Sequence, residues 1–137
     1  MRHTRGTLLV GSLMLIVSGC NRAANPHSTL SGVYTADQAT RGAKTYGMQC
    51  ESCHAGMGNH TGPAFRKRWG GGSVFDLYQF ISYNMPKNDP GSLSPDEYAE
   101  VTAYLLQLNG MPAGKTPLSI DSLALKAIIY DTTAAPR

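Results

Sequence analysis

The sequence predicts an all-α fold, and three observations carry that expectation. Two stretches, residues 35–49 and 95–109, each pair a helix-capping residue with apolar side chains at helical spacing. A third stretch, residues 73–83, has the same periodicity in Val74, Leu77, Tyr78 and Ile81. Between the first stretch and the third lies a short cysteine–histidine motif in a glycine-rich connection.

In the first stretch, Thr35 stands where an N-cap belongs, and Gln38 three residues later predicts a capping box. Ala39, Gly42, Ala43 and Tyr46 then form a narrow apolar face. A glycine inside a helix costs about 1 kcal/mol relative to alanine. The simplest compensation at Gly42 is close packing against another helix. Residues 95–109 supply that partner. Ser94 caps it, Pro95 occupies its first position, and Glu97 predicts a second capping box. Val101, Tyr104, Leu105 and Leu108 make its apolar stripe, and Gly110 stops it. In the tail, Ile120, Leu123, Ala124, Ala127 and Ile128 predict a helix within residues 119–130.

The chain has 137 residues, which suits a single domain. Only 15% of residues are charged, against 15 Gly and 8 Pro, which reads as compact and turn-rich. The one basic cluster, Arg66-Lys67-Arg68, is too short for a nucleic-acid surface, so no nucleic-acid partner is expected.

Residues 1–20 have a basic start, an apolar run from Leu8 to Val17 and small residues before Cys20. That is the pattern of an export signal, too short to span a bilayer comfortably. Val17-Ser18-Gly19-Cys20 resembles the lipobox of bacterial lipoproteins, although that family usually has Leu where Val17 stands. The resemblance implies lipidation of Cys20 and a membrane anchor on the periplasmic side of the cell envelope. Asn21, a non-acidic residue after the cysteine, resembles outer-membrane sorting. An ordinary signal with a coincidental cysteine is the competing reading. Residues 21–33 read as a flexible tether, residues 34–110 as the domain, and residues 111–137 as an extension with a short helix.

Cys50-Glu51-Ser52-Cys53-His54 is the C-x-x-C-H pattern of covalent haem attachment. Two intervening residues let both thiols add to porphyrin vinyl groups from one turn. The next residue then lies beneath the iron, where His54 can ligate it. A disulfide or a thioredoxin-like redox pair would need no histidine after the second cysteine. Zinc would need two further ligands, and no second Cys/His pair exists. One haem c is therefore expected.

With these flanks, the chain resembles the class I monohaem cytochromes c over about residues 34–110. Gly42, Tyr46 and Cys50 match that family's glycine and aromatic residue ahead of the haem cysteines, and Tyr104 suits its aromatic on the last helix. Thr61-Gly62-Pro63 resembles the family's Gly-Pro turn. The resemblance implies that the Pro63 carbonyl accepts the second N–H of His54; an ordinary turn proline is the alternative. Tyr83-Asn84-Met85-Pro86 resembles the family's axial-methionine loop, which implies Met85 as the second iron ligand. Met111-Pro112 shares the dipeptide but follows the last helix, where a cap contact is expected. Trp69, Arg66 and Arg68 carry donors suited to haem propionates. A packed tryptophan beside a solvated basic turn explains them equally. His60 reads as a solvated loop histidine, and His27 as part of the tether.

Residues 84–114 and the tail are similar to small cytochromes associated with quinoprotein alcohol dehydrogenases. A His/Met-ligated iron has no open position for substrate, so the expectation is an electron carrier and not an enzyme. Its partners would be a dehydrogenase donor and an oxidase or other acceptor. Three alternatives stay open. One is a haem enzyme or gas sensor with a displaceable ligand. Another is a cytochrome subunit of a quinoprotein dehydrogenase complex. The last is a haem-free lipoprotein whose cysteines form a disulfide.

Overall fold

The computed structural model describes residues 27–57 and 60–133. Cys20 and the stretch 21–26 of the expected tether lie outside them. Five α-helices follow in chain order: α1 (Ala36–Gln49), α2 (Gly62–Trp69), α3 (Val74–Asn84), α4 (Pro95–Leu108) and α5 (Ser122–Lys126). Among the described residues there is no strand beyond two isolated bridges, so the fold is all-α. None of these helices is long and apolar enough to cross a membrane.

The packing of α1 against α4 organises the rest. A Cβ on Gly42 would sit 1.8 Å from the Glu100 carbonyl oxygen, so the two backbones touch there. The rings of Tyr46 and Tyr104 meet beside that crossing, 5.5 Å between centroids. Arg41 and Glu100 form an ion pair on its outer side. Both α1 and α4 begin at a side-chain cap. Thr35 accepts from the Gln38 amide, and Ser94 with Glu97 makes the full capping box. Ser73 and Asp76 make another at the start of α3, which contacts both α4 and α5 and buries Val74, Leu77 and Ile81.

Four expectations need correction. The Gln38 side chain does not complete a capping box. It turns inward and exchanges two hydrogen bonds with the Leu118 backbone, at 3.0 and 2.7 Å, which satisfies those buried polar groups. The tail helix is only Ser122–Lys126, not 119–130. Residues 128–130 leave helical geometry to pair with 71–74 and with the N-terminal segment. Residues 28–33 are not free tether. Ser28 and Thr29 are buried, and the Thr29 amide donates to the Ile129 carbonyl at 3.0 Å. Finally, the Gly62-Pro63 turn and the basic cluster Arg66-Lys67-Arg68, for which no helix was expected, lie together in α2.

The extension therefore belongs to the core. Met111, Leu118, Leu125 and Tyr130 are each at most 3% exposed and join one cluster with Tyr34, Tyr46, Leu77 and Leu106. Full burial of a large apolar side chain is worth roughly 1.5–3 kcal/mol, so each of the four contributes substantially to stability.

Candidate functional site

Helix α1 ends at Gln49, and Cys50 is its C-cap, its amide donating to the Tyr46 carbonyl. The chain then makes one further turn: the Cys53 and His54 amides both donate to the Cys50 carbonyl, at 3.1 and 2.9 Å. That turn brings Cys50, Cys53 and His54 to one side of a cavity of about 640 Å³. Helices α2 and α3 supply Phe65, Trp69, Leu77, Phe80 and Ile81 to its wall, and Leu105 comes from α4. Met85, the residue after α3, lines the same cavity with Pro86.

The structure thus gathers Cys50, Cys53, His54, Met85, Trp69 and Arg68 around one space. Arg68 lies over two aromatic rings, 4.8 Å from the centre of Trp69 and 4.4 Å from that of Phe80. Two other candidates stand outside the lining. Pro63 is exposed in the first turn of α2, and Arg66 is half-buried near the Tyr130 phenol. Met111 is also elsewhere. Its sulfur accepts the Thr29 hydroxyl at 3.3 Å, and its carbonyl accepts the Tyr34 hydroxyl at 2.6 Å.

His60 is not a solvated loop residue. It is half-buried in the cavity wall, its ring 4.3 Å from that of His54, and its Nδ1 lies 2.8 Å from the Tyr46 hydroxyl. Asn109, the C-cap of α4, donates to its carbonyl at 2.8 Å. Burial, then the nearby His54, lowers the His60 pKa from its ordinary value. Burial also pushes the Tyr46 phenol up to about 12, so it stays protonated at neutral pH and shares its hydrogen bond with the imidazole as a neutral hydroxyl. Sequence spacing could not find this, because it needs α1, the loop and α4 together.

Cys50 and Cys53 are free thiols, and burial raises the pKa of Cys50. Among the described residues, no three His, Cys, Asp or Glu side chains converge to hold a metal ion by themselves. The site is instead a large, mostly apolar space with two thiols, an imidazole and a thioether on its wall. Its volume falls in the range of about 300–1,000 Å³ usual for small-molecule and cofactor sites.

A family model described as cytochrome c oxidase, cbb3-type, subunit III matches residues 37–105, half of the chain. The chain belongs to this cytochrome c family. No curated protein and no solved structure gave a match. The matched span runs from the first turn of α1 to the last turns of α4, so it includes the C-x-x-C-H turn, Met85 and the helix crossing at Gly42. Membership makes the chain an electron-transfer haem protein with covalently bound haem c. The residues around the cavity fit that group. Two free thiols with two residues between them suit thioether attachment, and an imidazole and a thioether are a usual pair of axial ligands.

Proposed function

We propose that this cytochrome carries one electron at a time between an exported or membrane-bound dehydrogenase and a terminal acceptor such as an oxidase. In this reading Cys50 and Cys53 hold a single haem c, His54 is one axial ligand, and Met85 is the other. The haem supplies the one-electron couple when bound; the chain's own residues hold it and set its surroundings. Trp69 and Arg68 offer an indole N–H and a guanidinium at the cavity wall, suited to propionate carboxylates. Phe65, Leu77, Phe80 and Ile81 exclude water, which favours the less charged state and raises the potential, as does thioether ligation.

The observation that carries this reading is Met85. Of the two Met-Pro dipeptides in the described residues, only this one reaches the cavity that holds Cys50, Cys53 and His54. A methionine-ligated iron has no open position, so the site passes electrons and does not bind substrate. The lipobox at Cys20 supports a periplasmic, membrane-anchored location, and dehydrogenase association rests on the similarity of residues 84–114 and the tail. The test is carbon monoxide titration of the reduced holoprotein. Slow or negligible binding is expected, and rapid stoichiometric binding would show an open iron instead.

A further inference from the structure

Met85 follows directly on α3, and its loop runs to the start of α4 at Pro95. A thioether is a weak, neutral ligand, so it stays bound only where the chain delivers it in place. Within that loop the Asp89 amide donates to the Pro86 carbonyl at 3.0 Å, and the Ser92 amide to the Asp89 carbonyl at 3.3 Å. These local turns shape the loop without fixing it to the rest of the fold.

The Met85 amide donates to the Ile81 carbonyl of α3 at 2.9 Å, and the tie to α4 comes from Tyr98, in the first turn of that helix. Its side chain is 3% exposed. Its hydroxyl donates to the Met85 carbonyl at 2.8 Å and accepts from the Gly91 amide at 3.0 Å. One phenol therefore spans the loop, gripping the methionine itself and a residue six positions on. Gly91 has φ of +81°, a left-handed conformation that glycine adopts without strain. Tyr98 is itself fixed. Its helix is capped by Ser94 and Glu97 and packs backbone to backbone on α1 at Gly42. Helix α1 ends at Cys50. A rigid path thus runs from the thiols through α1 and α4 to the Met85 peptide.

We propose that Tyr98 is the positioning residue for the Met85 thioether: its hydroxyl clasps the loop to α4 and holds the sulfur at the cavity. The proposal rests on the reading that Met85 ligates the iron. Its consequence is that removing one hydroxyl, with no change at any ligand, makes Met85 easier to displace. Losing a buried hydroxyl that makes two hydrogen bonds favours the open loop by about tenfold.

The experiment uses ferric holoprotein and imidazole as the competing ligand, read by loss of the near-infrared methionine-to-iron charge-transfer band. Tyr98→Phe is compared with native protein and with Thr102→Val. Thr102 is buried on the same helix and donates only to the Tyr98 carbonyl, so its loss perturbs α4 without touching the loop. The expected result is about tenfold tighter imidazole binding in Tyr98→Phe and native-like binding in Thr102→Val. Equal affinity in Tyr98→Phe and native protein, with the band present in both, overturns the Tyr98 role and leaves Met85 ligation standing. A native protein without the band overturns the Met85 reading, and this proposal with it. If Tyr98→Phe does not accumulate, amide exchange in the native protein decides. Gly91 should exchange far more slowly than Lys87 and Asn88, and equal rates would overturn the clasp.

Discussion

Replacing Gly42 by alanine tests the packing on which the whole site is built. A Cβ at this position would lie 1.8 Å from the Glu100 carbonyl oxygen, 2.3 Å from its carbon and 2.9 Å from the Val101 nitrogen. All three atoms are backbone, so no side chain can rotate away. Reaching ordinary contact beyond 3.4 Å requires α1 and α4 to separate by about 1.5 Å. Overpacking of a tight contact costs about 1–3 kcal/mol, and a backbone-to-backbone clash belongs at the upper end. Alanine regains about 1 kcal/mol of helix propensity. The net loss is therefore about 2 kcal/mol, which lowers the melting temperature of a domain this size by roughly 8–16 °C. Thermal unfolding of the holoprotein followed by circular dichroism measures it. A Gly42→Ala protein within about 0.5 kcal/mol of native stability would refute the close crossing.

Met85→Ala should abolish the near-infrared charge-transfer band, whereas Met111→Ala should keep it and lose about 2–5 kcal/mol of stability in urea unfolding, since Met111 is a buried core residue. Gln38→Ala leaves the buried Leu118 amide and carbonyl without partners and should cost about 1–3 kcal/mol by the same assay. Tyr130 is fully buried, and its hydroxyl has no hydrogen-bond partner among the described residues. Tyr130→Phe should therefore be at least as stable as native protein at pH 7. Burial pushes the Tyr130 phenol up to about 12, so the unfolded chain releases this proton first. Stability from this group is full below pH 10 and falls as pH rises towards 12. Chemical denaturation between pH 9 and 11.5 should show a shallower decline in Tyr130→Phe.

What the sequence reveals depends on how local the signal is. Helices α1 and α4 are legible because their caps and apolar stripes lie within a few residues of each other. Gly42 is legible because its cost inside a helix calls for a neighbour. The α3 capping box escapes notice because Asp76 stands where glutamate or glutamine is usual. Helix α2 is obscured by Gly62 and Pro63, which read as a turn, and by Thr61, which makes no side-chain cap. The Phe65–Trp69 spacing was the available signal. The tail departs from its periodicity because pairing of Ile129 with Ser28 and Ser73 outweighs helix propensity over residues 128–130. His60 and Tyr98 depend on distant elements meeting. For Tyr98 one clue was present: a tyrosine on a buried helix face needs a partner for its hydroxyl.

The most direct test of the account is the intact mass of the matured protein under denaturing conditions, with its visible spectrum. Covalent attachment through Cys50 and Cys53 predicts a polypeptide heavier by one haem, a Soret band that stays with the denatured chain, and loss of both when the two cysteines are replaced by alanine. A mass equal to the bare polypeptide, or a haem that separates on denaturation, would contradict it.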